Sequence, residues 1–181
     1  MRSHIPLVTI EPAASKDVDD LPNIEREAAS SFANWQVPSE VLERQTPLSE
    51  FVAAQRAGRL WVARCQAGTV VGFALVALLG DEPHLQEMDV LPSHGRQDIG
   101  RALVEAVQEW ARASGYASLT LTTFRDIPWN APFYGRVGFR EVSREELSPA
   151  LRAAVREEAA RGLDPQRRVV MSCSLGAAQP R

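Results

Sequence analysis

Lysine is nearly missing from this chain of 181 residues: Lys16 is the only one, and arginine carries the rest of the positive charge. The guanidinium fork suits fixed contacts to phosphate or carboxylate, although so uniform a bias reads first as compositional habit. Cysteine is almost as scarce. Cys65 and Cys173 lie far apart, with no Cys or His partner at ligand spacing, so neither a zinc site nor a disulfide framework is indicated and both read as small core residues. Long apolar runs are lacking too. The longest, Val70 to Leu79, is broken by Gly72 and is far too short to span a bilayer, and no apolar run follows the charge at Met1–Pro6. A cytoplasmic protein that does not engage a membrane is the resulting expectation. The formal charge of −3 gives no field that draws polyanions, so nucleic acid is not an expected partner. No repeat or low-complexity tract is present.

What remains is an ordinary globular composition, 45% apolar and 24% charged. Its length fits one domain, residues 1–181, folding as a monomer or homodimer, with Gly176–Arg181 as a frayed tail. Leu7–Ile10 reads as a short strand, and the polar stretch Ser15–Asp20 leads into a helix that runs through Ser30 or Ser31. A second helix spans Pro47 to Arg56, with Thr46 as its N-cap and Gly58 as its stop. Leu60–Cys65 and Thr69–Leu79 form a hairpin, and a third strand, His84–Leu91, ends at Pro92. The best helix runs from Ile99 to Ser114 on an apolar stripe of Ile99, Leu103, Val107 and Trp110, and stops at Gly115. Ser118–Thr123 is the next strand, so strand, crossover helix and strand should give parallel neighbours. A short helix at Ala131–Arg136, a strand at Phe139–Val142, a helix from Ser148-Pro149 to Arg161 and a last strand at Arg168–Leu175 complete the reading.

The chemistry concentrates between Met88 and Leu103. There a strand ends at Pro92, and the loop Ser93-His94-Gly95-Arg96-Gln97-Asp98 turns into the long helix at Ile99-Gly100-Arg101. Unpaired N–H groups at such a junction point at one spot and make an anion site. Gly100 allows close backbone approach, and Arg96 and Arg101 add charge-assisted contacts. A second segment, Trp129-Asn130-Ala131-Pro132-Phe133-Tyr134-Gly135-Arg136-Val137-Gly138-Phe139, sets a phenol on a short helix.

Together these two segments resemble motifs A and B of the GNAT N-acetyltransferases. The resemblance covers Leu60 to Val142 and departs from the family's Q/R-x-x-G-x-G/A loop at two places: Gly95 stands where Gln or Arg is usual, and Asp98 where the first glycine is usual. The charge of Asp98 beside the phosphates is tolerable if its side chain turns outward or caps the helix. The spacing from Asn130 to Tyr134 is also compressed. The resemblance implies an α/β GNAT fold, a mixed twisted sheet flanked by helices, in which the strands at His84–Leu91 and Ser118–Thr123 splay apart. It implies acetyl-CoA as acyl donor, with pyrophosphate on Arg96, Gln97, Asp98, Ile99, Gly100 and Arg101. Pantetheine would lie on the backbone of Met88, Asp89 and Val90, and Asn130 and Phe133 would flank the ligand. The acceptor amine would attack the thioester directly, and Tyr134 would protonate the departing thiolate.

An amine is mostly protonated near neutrality, so a base is required. Strand alternation puts Glu87 and Asp89 on one face and Met88 and Val90 on the other. Glu87 is the candidate base and Asp89 the substitute; a loss of Glu87 would matter most at low pH, where free amine is scarce. His84 and His94 read as loop histidines, too loosely spaced for a metal pair, so no metal is expected. Trp35 and Trp129 read as core aromatics, with walls of an acceptor pocket as the other reading. A Rossmann dehydrogenase is disfavoured because G-x-G-x-x-G is missing. The altered loop leaves one alternative to an enzyme, a catalytically silent GNAT-fold module that senses CoA or a metabolite.

Overall fold

Among the described residues seven strands form, several of them rich in β-branched residues: β1 (Val8–Pro12), β2 (Leu60–Cys65), β3 (Val70–Leu79), β4 (Glu82–Val90), β5 (Ser118–Phe124), β6 (Arg140–Glu141) and β7 (Arg168–Ser174). The computed structural model describes residues 8–176, so Leu7 of the expected first strand and the expected tail after Gly176 lie outside the described residues. The strands form one sheet in the order β1-β2-β3-β4-β5-β7-β6. Among the described residues only β4 and β5 run parallel, and helix α4 (Ile99–Ala113) is their crossover.

The apolar stripe of α4 faces the sheet. Leu103, Val104 and Val107 are fully buried against Trp61, Ala74, Val76, Leu85, Leu119, Leu121 and Met171. The opposite face is covered by α1 (Leu21–Ala29) and α3 (Leu48–Arg56), whose Leu21, Ile24, Phe51 and Ala54 meet Leu60, Val62, Phe73 and Leu75. Between these helices lies a short α2 (Ser39–Leu42) that carries no periodic signal. After the short α5 (Ala131–Arg136), helix α6 (Pro149–Ala160) packs Leu151 on Val170 at the far end of the α1 face. Two local expectations fail. Pro47 takes the N-cap position of α3 without a side-chain bond, and Thr46 turns instead to Glu25. Cys65 is half-buried at the core's edge, whereas Cys173 is buried.

The β4–β5 ladder has two pairs, His84 with Thr120 and Leu85 with Leu121. Beyond them the strands part, and residues 87–90 keep only their β3 side paired. Gln86 marks the start of the opening as a bulge, because Val76 faces Leu85 while Leu75 faces Glu87. Bulges bend a strand and increase its twist.

His84 is not a loop residue: it lies in β4, 6% exposed, at the closed end of the opening. Its tautomer follows from hydrogen-bond accounting. The Thr120 hydroxyl donates to the Pro83 carbonyl at 3.2 Å, so it accepts from His84 Nδ1–H at 2.9 Å. Nε2 then accepts from the Thr122 hydroxyl at 3.3 Å. The neutral ring thus ties β4 to β5, and burial pushes its pKa down to about 4. A histidine depressed in this way stabilises the fold fully above its unfolded pKa of about 6.5 and loses that contribution as pH falls through the native value. The full difference is about 3 kcal/mol. His84→Gln cannot take up that proton. In urea melts, wild type should therefore lose roughly 2–3 kcal/mol more than the variant between pH 7 and 4, and parallel pH dependences would refute the neutral, buried assignment.

Candidate active site

The parted end of β4 presents two chemically opposite faces. Glu87 and Asp89 pair with Leu75 and Phe73, which belong to the α1–α3 side of the core. Met88 and Val90 pack on the α4 side. Strand alternation is therefore as expected, and the carboxylates look toward α1. There Glu25 waits, 9% exposed, accepting hydrogen bonds from Thr46 N and Thr46 Oγ1 at 3.0 Å. Burial raises the pKa of Glu25 despite those bonds. Burial and the nearby charge of Glu25 push Glu87 up to about 7. Asp89 is held well above the usual carboxylate range by burial, then by Glu87 and Glu25. At the rim, Gln86 Nε2 donates to Glu50 at 2.8 Å.

On the other side of β4, the loop after Pro92 enters α4 through two left-handed residues, Arg96 at φ 61° and Asp98 at φ 57°. Asp98 thus keeps the backbone that glycine adopts freely, and aspartate is among the side chains that tolerate it best. It does not cap the helix with its side chain. That side chain is exposed, while its carbonyl accepts from Ala102 N at 3.0 Å. The N–H groups of Ile99, Gly100 and Arg101 have no intrahelical partner, and Arg96, Gln97 and Arg101 are exposed around them. A β-carbon on Gly100 would stand 3.5 Å from Phe133 and 3.6 Å from Met88, so loop, strand and α5 converge there.

From α5, Tyr134 enters the same opening. It is 8% exposed, packed edge-on between Phe133 and Phe139 at 5.1 and 5.7 Å between centroids. Burial first, then the charges of Glu87 and Asp89, raise its pKa. Its hydroxyl makes no hydrogen bond among the described residues. Asn130 caps α5; its Oδ1 accepts from Thr123 at 2.7 Å, and its buried Nδ2 has no partner among the described residues. An orphaned buried donor costs about 1–3 kcal/mol. A free strand edge, an orphaned amide and an anion-binding helix start suit one ligand with amides along its arm and phosphate at its end.

Four aromatics gather around Phe32 and Trp129. Trp129 stacks edge-on with Trp35 at 5.3 Å and Phe32 at 5.9 Å, and Phe32 reaches Phe124 at 6.0 Å. Trp129 is 42% exposed and Trp35 half-buried, so neither is the core residue expected. Arg168 stacks over Phe124 and binds Glu158 of α6 through two bonds of 3.1 Å. A cavity of about 360 Å³ adjoins it, walled by Thr122, Val142, Leu147, Val155 and Val170. Sequence reading missed Glu25, although a signal was present: Leu21, Ile24, Glu25 and Ala28 share one buried stripe. Among the described residues, no helix is long and apolar enough to cross a membrane.

The sheet is thus parted between two parallel strands, with a helix-start loop on one side and carboxylates on the other. Residues 56–141 match the acetyltransferase (GNAT) domain family. The aminoglycoside N(6′)-acetyltransferase type 1 of Klebsiella aerogenes is 28% identical over 112 residues, which cover 56% of this chain and 74% of that protein. The PaiA N-acetyltransferase of Thermoplasma acidophilum, in complex with coenzyme A, shares the fold with a TM-score of 0.67 at 16% identity, covering 92% of this chain and 98% of that one. The ribosomal-protein-S18-alanine N-acetyltransferase of Escherichia coli gives 0.65 at 19% identity, with 96% and 97% covered. Residues 56–141 thus carry an acetyltransferase (GNAT) domain, and the chain is an acyl-CoA-dependent N-acetyltransferase. The matched segment holds β4, the loop and α5; Glu25, Glu158 and Arg168 lie outside it.

The left-handed backbone at Asp98 makes a direct test of the loop possible. Asp98→Gly should be at least as stable as wild type, whereas Asp98→Val should lose roughly 1–2 kcal/mol, since a β-branched residue fits this conformation poorly. Equal urea midpoints for the two variants would show that the loop does not hold this geometry in solution.

Proposed function

We propose that this enzyme transfers an acetyl group from acetyl-CoA to a primary amine of a small molecule or protein by direct attack, with Glu87 as base and Tyr134 as acid. One observation carries the reading: an unpartnered phenol and a carboxyl pair of raised pKa meet at the open end of β4. The backbone N–H groups of residues 96–101 would hold the pyrophosphate, with Arg96 and Arg101 adding charge. The free edge of Met88, Asp89 and Val90 would pair with the pantetheine amides, Asn130 Nδ2 would donate to a carbonyl, and Phe133 would wall the arm. The relatives' names support acetyl as the group transferred and amines as acceptors. They also favour an enzyme over a silent sensor.

In this scheme Glu87 removes a proton from the acceptor ammonium, and the free amine nitrogen bonds to the thioester carbonyl carbon. As the tetrahedral adduct collapses, the carbon–sulfur bond breaks, Tyr134 gives its proton to the thiolate, and the proton left on the former amine nitrogen passes to the tyrosinate, leaving the neutral amide and the free thiol. The raised pKa of Tyr134 keeps its own proton in place beforehand. Once Glu87 has become neutral, one of the charges raising the phenol is gone, so the first proton transfer assists the second. Backbone N–H groups on β4 polarise the carbonyl without reorganising.

Tyr134→Phe keeps the ring and deletes only the hydroxyl, which has no partner to orphan. Its melting temperature should stay near wild type while turnover falls roughly 10- to 10³-fold; wild-type turnover would leave water as the proton source. A base with a pKa near 7 works only when deprotonated, so activity should rise as pH increases through about 7. Glu87→Gln should remove that limb, with a loss on the order of 10²-fold that is greatest above pH 7. The raised pKa reverses the low-pH expectation drawn from the sequence, and an unchanged profile would make Glu87 structural. Gly100 has ordinary helical backbone, so its role is clearance. Gly100→Val should weaken acetyl-CoA binding on calorimetry by about tenfold or more, and an unchanged dissociation constant would move the pyrophosphate elsewhere.

A further inference from the structure

The carboxylate side of the cleft carries more negative charge than one proton transfer uses, and the role of that surplus depends on Glu87 being the base. Glu87 and Asp89 stand two positions apart on one strand face, roughly 7 Å at the rise of a strand. Glu25 faces them from α1 and contributes to the raised pKa of both. The hydrogen bonds from Thr46 fix Glu25 in place without neutralising it. Among the described residues no cation pairs with Glu25, Glu87 or Asp89. Arg168, a positive charge acting on Glu87, is held by Glu158. Neighbouring carboxylates are unfavourable as anions unless their charge is offset by a proton or another cation.

Two independent features point to a ligand that supplies it. Tyr134 is more than nine-tenths buried, its hydroxyl lacks a partner among the described residues, and it looks into the same space. Trp129, two residues before α5, stays exposed against Phe32, three residues after α1, and indole faces attract alkylammonium groups. No three acidic side chains among the described residues converge as the ligands of one metal ion would. Separated anions call for separated cations.

We propose that the acceptor is a small organic polycation: one ammonium is delivered to Glu87 and loses its proton, while a second, still charged, is held by Asp89 and Glu25. Glu25 is thus a specificity residue lying outside the part of the chain that matches the family.

The test compares putrescine with butylamine, which share a carbon chain and differ in the second ammonium, by acetyl-CoA-dependent thiol release. Putrescine should be the better acceptor by roughly 10- to 10²-fold in kcat/KM, the worth of one charge-assisted bond. Added salt should raise KM for putrescine more than for butylamine. In Glu25→Gln, whose amide oxygen can still accept from Thr46, the putrescine-to-butylamine ratio should collapse toward one. General loss of activity would not move that ratio, and the salt comparison needs no variant. Equal use of the two amines by wild type would overturn the polycation proposal and leave acetyl transfer standing. A lysine-bearing or N-terminal peptide preferred over both amines would do the same. No thiol release with any of these amines would count against the reading of Glu87 as well as the proposal built on it.

Discussion

Strands held side by side normally pair along their length, because each backbone group left unpaired inside a protein costs the free energy of a lost hydrogen bond. β4 and β5 pair at two positions only. That interruption is the constraint on which the site depends, since it exposes main-chain donors and acceptors in the middle of a sheet where no loop could place them so rigidly. It is held at its closed end by polar chemistry. The imidazole of His84, accepting on one nitrogen and donating on the other, joins two hydroxyls of β5. The core on the α4 side runs beneath the opening without a break, from Leu85 to Leu121 and Leu103. The strands therefore part above a solid floor.

Electrostatics divides the opening into two halves. The α4 side offers helix N–H groups and exposed arginines, and suits an anion. The α1 side offers Glu25, Glu87 and Asp89 at raised pKa, and suits a cation. Tyr134 sits at the border, where a phenol can serve either half. In the proposed reaction, donor and acceptor would thus approach from opposite faces, and neither would pass the other's charge to reach the thioester. The carboxylates are a standing cost to the folded state near neutral pH, which is the usual relation between a prepared site and stability.

Much of this was legible in the sequence, and the rest was not for identifiable reasons. Helix α4 announced itself through a single apolar stripe, and the two motif-like segments marked the loop and α5 because both use residue types that backbone geometry and chemistry demand. Asp98 broke the glycine pattern without breaking the structure, as its φ of 57° shows; conformation was retained where identity was not. His84 was misread because it lies beside Pro83 and because a histidine satisfied by two threonines 36 and 38 residues away leaves no local trace. Thr46 looked like a helix cap, and only the tertiary fold brings Glu25 across to claim it. Trp35 and Trp129 read as core by their size, yet they pack against each other at the surface. Long-range pairings of this kind carry no periodicity and escape any reading of neighbours along the chain.

The bulge at Gln86 acts as a phase shift in the strand. Leu85 looks toward α4, and uninterrupted alternation would send Glu87 and Asp89 to that same greasy side, with Met88 and Val90 turned toward Glu25. One supernumerary residue inverts that parity for everything downstream of it. The chemical identity of both walls is thereby encoded by a count, not by the side chain of Gln86. Loss of this single residue would exchange the walls, driving two carboxylates into the hydrocarbon beneath α4 while every catalytic side chain remained in the sequence.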